Sequence, residues 1–231
     1  MSGKRAHSLD VRLGQDVILT YATPIMVQRV PNAGPLNESL KRIVLAREAA
    51  ARGQGDGGGV AISNVGGWHS KSDLLNWPEP EIAALKDVFS QCVGRMMQLA
   101  VRHDPGKAVE AGFVMDAWAN VNRAGNINAA HSHPGYHWSG VYYVSAGDPD
   151  RARPQNGILE FYDPRGAANA FTTPGFTFGV THAITPEAGM IVLFPSWHLH
   201  AVHPYHGAAE RISIAFNARI TGYKVVDRPS T

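Results

Sequence analysis

The sequence is poor in three features that would each point to a particular class of protein. It has one cysteine, Cys92, in 231 residues, so it cannot form an internal disulfide, and a reducing, cytoplasmic environment is expected. No apolar run approaches the length of a membrane span, and the N-terminus lacks the apolar stretch of a signal peptide. Charged residues make up only 17%, the formal net charge is +2, and Lys and Arg are scattered. We therefore expect neither a membrane nor a nucleic-acid partner.

The hydrophobic pattern of the sequence changes at about residue 105. Before it, residues 17–30 indicate one or two short strands broken at Pro24, and helical spacing predicts helices from a cap at Asn37 to about Arg52 and over 79–100. After it come short apolar runs bounded by Gly, Pro and Asn. These predicted strands are 113–122, 140–145, 157–163, 189–195 and 211–220. The pattern predicts one domain over 1–231, with N-terminal strands and cover helices in 1–104 and a β-sandwich or jelly roll over 105–222.

Histidine is concentrated in one part of the chain. Of 11 histidines, eight lie between residues 131 and 206. His131 and His133 are two apart, and in a strand such residues point to the same face, which makes half of a metal site. A third ligand must come from elsewhere in the chain. The segment after the apolar run 189–195 offers three candidates, His198, His200 and His203.

The last predicted strand alternates between polar and apolar residues. Alternation puts Arg211, Ser213 and Asn217 on one face and the apolar residues between them on the other. If the polar face lines a cavity, Arg211 offers a planar fork for a carboxylate and Ser213 adds a hydroxyl. Asn128 and Asn217 are candidate hydrogen bonders in the same cavity.

Seven segments resemble a known superfamily. They are TPI (23–25), GGWHS (66–70), HSHPG (131–135), SGVYYV (139–144), FYDPR (161–165), FPSWHLHAVHP (194–204) and RISIAFN (211–217). Together they resemble the 2-oxoglutarate/Fe(II)-dependent oxygenases, and more narrowly a bacterial family with an HxH…H…RxS pattern. The resemblance implies a mainly β, cupin-like double-stranded β-helix, or jelly roll, with a helical N-terminal cover. It implies an oxygenase that uses Fe(II) and 2-oxoglutarate.

The resemblance also implies roles for individual residues. His131, His133 and His200 would hold the metal, and His200 lies eleven residues before Arg211, as the pattern requires. Arg211 and Ser213 would hold the oxoacid, with Tyr143, Asn128 and Asn217 beside it. Tyr142 and Tyr143 are adjacent on a predicted strand, so one of them faces the core and the other is free to donate its hydroxyl to the oxoacid.

One position departs from the superfamily and keeps alternatives open. Position 133 is His where the superfamily has Asp or Glu. A three-histidine site is typical of cupin-type dioxygenases that do not use 2-oxoglutarate, in which Arg211 would bind the substrate's own carboxylate. Glu160 and Asp163 are weaker candidates for a replacement carboxylate, since Asp163 begins a turn. A carboxylate-binding jelly roll without enzymatic activity is a third reading. The substrate, a small molecule or a peptide, is not specified by the sequence, and a homo-oligomer is compatible with it.

Overall fold

The computed structural model describes residues 21–53, 59–150, 152–166 and 181–228. Two α-helices and eleven strands lie in these ranges. The helices are α1 (Gly34–Arg52) and α2 (Pro80–Met97). The strands are β1 (Met26–Arg29), β2 (Asn64–Val65), β3 (Trp68–His69), β4 (Lys107–Asn122), β5 (Ile127–His131), β6 (Trp138–Ser145), β7 (Leu159–Tyr162), β8 (Thr181–Ile184), β9 (Met190–Pro195), β10 (His200–Val202) and β11 (Arg211–Asp227).

The strands form two antiparallel sheets. The larger has the order β1-β9-β6-β11-β4-β3, and the smaller has the order β2-β5-β10-β7-β8. Apolar side chains between the sheets, among them Leu159, Phe161, Val192 and Phe194, form one buried cluster. The mainly β jelly roll predicted from the sequence is confirmed.

Both helices cover the outer face of the larger sheet. The apolar faces of α1 and α2 pack in a second core against β4, β6 and β11. Leu40 and Val44 come from α1, whereas Leu85 and Phe89 come from α2, and all four are fully buried. This arrangement gives the larger sheet a helix-covered face and a face that looks toward the smaller sheet.

The helix boundaries differ slightly from those predicted. Helix α1 begins at Gly34 rather than at a cap on Asn37, because Pro35 fits the first turn, where its missing N–H costs no hydrogen bond. Asn37 lies inside the helix, and its side-chain oxygen accepts a hydrogen bond from the Tyr142 hydroxyl at 2.5 Å. Helix α2 ends at Met97 and continues as a short 3₁₀ turn over Gln98–Val101.

The N-terminal part of the chain also contributes strands to both sheets. Strands β1 and β3 form the two edges of the larger sheet, and β2 forms one edge of the smaller. Of the predicted strand region 17–30, residues 17–20 lie outside the described ranges. The division of the chain at residue 105 stays a prediction. No helix within the described ranges is long and apolar enough to span a membrane.

Candidate metal centre

Three histidine side chains meet at one end of the smaller sheet. His131 is the last residue of β5, and His200 is the first residue of β10 and its direct partner across the strand pair. His133 follows the end of β5, where its backbone N–H donates to the carbonyl of Ser196 at 2.8 Å. One ring nitrogen of each lies within 4.8 Å of the others, and among the described residues no other group of His, Cys, Asp and Glu could hold a metal ion.

Hydrogen bonds orient two of these rings. The Nδ1–H of His131 donates to the carbonyl of Ala129 at 2.7 Å, and the Nδ1–H of His200 donates to the carbonyl of His198 at 2.9 Å. A carbonyl can only accept, so each bond fixes the tautomer and makes Nε2 the ring nitrogen that carries the lone pair. Backbone carbonyls of this kind are typical outer partners of metal-binding histidines.

Burial keeps all three rings neutral at ordinary pH. It lowers the pKa of His131, it lowers the pKa of His133 to about 4, and it lowers the pKa of His200 to about 3. The closeness of the other imidazoles lowers the last two further, because like charges would repel. Neutral imidazole is the form that binds a metal.

The other ligand candidates lie outside this group. His198 is buried, and its Nε2 lies 3.1 Å from the carbonyl of Tyr162. His203 donates a hydrogen bond from Nε2 to the carboxylate of Glu160 at 2.7 Å. Asp163 is held by Arg165, whose guanidinium lowers the pKa of that carboxyl to about 2. Neither candidate carboxylate therefore joins the three histidines.

The three histidines open onto a small cavity of about 50 Å³ between the two sheets. The smaller sheet contributes the histidines, and the larger sheet contributes side chains of β4, β6 and β11. Apart from the histidines, the lining includes Ser63, Trp118, Asn120, Asn128, Tyr143, Arg211 and Ser213.

Arg211 is the charged residue of this lining. It is only 2% exposed, and its Nε donates to the carbonyl of Gly157 at 3.2 Å. Its guanidinium lies 5.2 Å from the centre of the Tyr143 ring, while Nη2 is buried without a hydrogen-bond partner. Burial lowers the pKa of Arg211, but a guanidinium remains charged in proteins. A buried guanidinium with an unused donor indicates a site for an anion.

Ser213 lies between two other cavity residues across the strands. Its register partners are Tyr143 on β6 and Asn120 on β4. The Tyr143 hydroxyl is buried and has no hydrogen-bond partner, whereas Tyr142 points into the helix-side core. Of the two adjacent tyrosines, Tyr143 is therefore the one whose side chain lines the cavity.

The two predicted asparagines are placed differently. Asn128 lines the cavity, and its side-chain oxygen accepts from Asn122 at 3.2 Å. Asn217 lies on the same face of β11 as Arg211 but is not among the lining residues. Its side-chain oxygen accepts from the Ser139 hydroxyl at 2.7 Å. Its place in oxoacid binding stays a prediction that this contact does not support.

Sequence reasoning missed three lining residues. The Ser63 hydroxyl lies 3.4 Å from Nε2 of His131. Trp118 lies 5.7 Å from the His133 ring and stacks on His69 at 5.4 Å. The side-chain oxygen of Asn120 is buried without a partner. Alternation along β4 could have placed Trp118 and Asn120 on one face, but only the pairing of β4 with β11 shows that this face is the cavity side.

A family model matches the part of the chain that carries the metal centre. Residues 116–217 match a family described as "Putative 2OG-Fe(II) oxygenase". This span contains His131, His133, His200, Arg211 and Ser213. The resemblance to 2-oxoglutarate/Fe(II)-dependent oxygenases is thereby confirmed. No curated protein sequence matches the chain.

Solved structures share the fold at low sequence identity. A prolyl-4-hydroxylase from Pseudomonas putida matches with a TM-score of 0.56 and 18% identity, over 90% of this chain and 95% of that one. HygX from Streptomyces hygroscopicus, with nickel and 2-oxoglutarate bound, matches with a TM-score of 0.57 and 12% identity, over 86% and 84%. A prolyl hydroxylase from Trichoplax adhaerens, in complex with a hypoxia inducible factor peptide fragment, matches with a TM-score of 0.52 and 14% identity, over 84% and 83%. These likenesses confirm the jelly-roll fold.

Proposed function

We propose that the protein is a non-haem iron(II) oxygenase that uses 2-oxoglutarate to hydroxylate an organic substrate. The observation that carries the proposal is the meeting of three neutral imidazoles and one buried guanidinium with an unused donor in a single cavity. The family match supports the same chemistry. Since the single cysteine is buried, we further propose that the protein acts in the reducing cytoplasm.

The donor set fits a divalent transition metal. Imidazole nitrogens suit iron, nickel, copper and zinc better than magnesium or calcium. His131, His133 and His200 would hold the ion from one side, which leaves its other positions to ligands in the cavity. Their rings are held in place by backbone hydrogen bonds or by packing against Trp118.

The residues around Arg211 fit a carboxylate. Arg211 offers a buried donor without a partner, and the Tyr143 hydroxyl beside it is also unpaired. Ser213 adds a third polar group at the next position along the same strand face. A carboxylate has two oxygens that could accept from these groups, and its charge-assisted bond to Arg211 alone is worth about 1.5–3 kcal/mol.

The chain's own residues would bind, orient and shield the reactants. When bound, iron(II) and 2-oxoglutarate supply the oxidising power for hydroxylation. Arg211, Ser213 and Tyr143 would fix the oxoacid at its distal carboxylate. Apolar walls formed by Leu159, Phe194 and other lining residues would exclude water, which strengthens the electrostatic contacts inside the cavity.

An anaerobic titration of the iron(II) protein with 2-oxoglutarate tests the proposal. We expect the visible charge-transfer band of a chelated oxoacid in the wild type. Arg211→Lys should weaken oxoacid binding about tenfold or more, because lysine lacks the planar fork. Arg219→Lys is the matched control, since Arg219 is exposed on the same strand. A band that is equally strong in Arg211→Lys would remove Arg211 from the oxoacid site.

A second candidate is a three-histidine dioxygenase that does not use 2-oxoglutarate. It is favoured by the absence of any carboxylate among the described residues that line the cavity. Arg211 would then bind the carboxylate of the substrate itself. Full iron binding without an oxoacid band would favour this candidate over the first.

A further inference from the structure

The electrostatic balance of the cavity is unusual for a site that must hold a metal ion. Among its described lining residues there is no Asp or Glu, and Arg211 contributes a full positive charge. The three histidines are neutral, so they offset none of the charge of a bound ion. With a divalent ion in place, the cavity would hold three positive charges and no protein anion.

The carboxylates near the cavity lie outside its lining. Asp116 lies on the same face of β4 as Trp118; one of its oxygens accepts a hydrogen bond from Tyr136, and the other is buried without a hydrogen-bond partner. Glu160 accepts a hydrogen bond from His203, and Asp163 is paired with Arg165. None of these three carboxylates is among the described residues that line the cavity.

The oxoacid offsets only part of the positive charge. 2-Oxoglutarate carries two negative charges, one on each carboxylate, so one of the three positive charges would remain. A carboxylate at position 133 would have balanced it, but this chain has a neutral histidine there. An unbalanced charge in a cavity screened from water is strongly unfavourable.

We infer that the cavity takes a second anion beside the oxoacid, and that this anion is a carboxylate of the primary substrate, bound on the His133 side of the metal. The inference rests on the proposed function and narrows it to acidic substrates. Asn120 and Asn128 support it, because both line the cavity as neutral hydrogen-bonding groups. The buried side-chain oxygen of Asn120 has no partner and can only accept a hydrogen bond, so it would take an N–H or O–H group of the substrate and not its carboxylate.

Cobalt(II) protein saturated with 2-oxoglutarate provides the test. Its visible spectrum reports the surroundings of the ion without any turnover. The probes are acetate and acetamide, which have nearly the same shape but differ in charge. We expect acetate to shift the spectrum saturably while 2-oxoglutarate stays bound, and acetamide to bind at least tenfold more weakly. Equal binding of the two probes, or displacement of 2-oxoglutarate by acetate, would overturn the inference.

A variant that restores the missing charge sharpens this test. His133→Asp should weaken acetate binding about ten- to a hundredfold, because the new carboxylate balances the charge that attracts the probe. His103→Asp makes the same change at an exposed position and should match the wild type. If His133→Asp loses cobalt, the comparison of acetate with acetamide in the wild type decides alone.

Two further outcomes separate the inference from the proposed function. If 2-oxoglutarate leaves the cobalt spectrum unchanged, the proposed function fails. The preference for acetate over acetamide, measured without the oxoacid, then still decides whether the cavity demands an anion. Potassium chloride at matched ionic strength is a third probe, which tests whether the site binds any small anion. Chloride binding as tight as that of acetate would show a site for small inorganic anions and would overturn the assignment to a substrate carboxylate.

Discussion

The two faces of the larger sheet show how one set of strands serves two purposes. On the helix side, Ile212, Ile214 and Phe216 of β11 are fully buried in an apolar core. On the cavity side, Arg211 and Ser213 of the same strand are also buried, but they are polar. Alternate residues of one strand therefore meet opposite demands.

The two faces differ in whether their side chains find all their packing and hydrogen-bond partners within the protein. The helix-side face finds its partners within the chain, as when the rings of Phe89 and Phe216 stack at 3.9 Å. The cavity-side face leaves buried polar atoms of Arg211, Tyr143 and Asn120 without hydrogen-bond partners. A native protein keeps such costly groups where a ligand can complete them. We expect substitutions on the first face to change stability and those on the second to change binding.

The largest effect should come from the helix-side face. Phe89→Ala removes a fully buried ring and should lower the free energy of unfolding by about 3–5 kcal/mol. Denaturant unfolding of the metal-free protein measures it. Val114→Ala, at a side chain that is 47% exposed, should change stability by less than about 0.5 kcal/mol. A loss below about 1 kcal/mol for Phe89→Ala would mean that the face is not the stabilising one.

The next largest effect concerns the metal. His200→Ala should remove most of the bound metal, a loss of about a hundredfold or more in affinity, because the most buried of the three ligands is gone. Elemental analysis after dialysis measures it, with His206→Ala as the control that keeps its metal. A full metal complement in His200→Ala would show that the distal ligand is another histidine, with His198 and His203 as the next candidates.

A smaller effect of opposite sign is expected at Arg211. Arg211→Met removes a buried charge that the metal-free protein leaves without a counter-ion, so we expect stability to rise by about 1–3 kcal/mol. The same variant should lose oxoacid binding. Thermal unfolding without metal or oxoacid gives the first result. A less stable variant would show that the guanidinium contributes to the fold of the metal-free protein.

The most gradual effect is a dependence of stability on pH. The pKa of His133 is lowered to about 4 and that of His200 to about 3, from an ordinary value of 6.5. The unfolded chain therefore takes up protons at a higher pH than the folded chain, and stability should fall as the pH decreases from about 6.5 toward 4. His133→Gln should flatten this decrease in the metal-free protein, as followed by thermal unfolding. The exposed His103→Gln should leave the slope unchanged.

Local sequence pattern predicted much of the fold and part of the cavity. The alternation 211–217 separated Arg211 and Ser213 from the apolar residues of β11, since a period of two follows from strand geometry alone. Helix α2 was predicted within a few residues because its apolar side chains recur at helical spacing. The cap of helix α1 was predicted four residues late, at Asn37 instead of Ala33, because the side chain of Asn37 caps no helix and instead accepts a hydrogen bond from Tyr142.

The rest depends on pairings between distant parts of the chain. Nothing near Tyr143 in the sequence distinguishes it from Tyr142, and the choice follows from which face of β6 the helices cover. Ser63 reaches His131 only because β2 pairs with β5. The short edge strands β2 and β3, of two residues each, have no local signal strong enough to predict.

The direct pairing of His131 with His200 also bears on how the chain folds. The two residues are 69 positions apart, and an ion bound to both would close that loop as a covalent cross-link would. Closing a loop of this length removes roughly 4 kcal/mol of chain entropy from the unfolded state, on the scale used for disulfides. Since a chain with one cysteine cannot form an internal disulfide, a bound metal ion is the cross-link available to it. The chain with the ion bound should therefore have a larger free energy of unfolding than the metal-free chain.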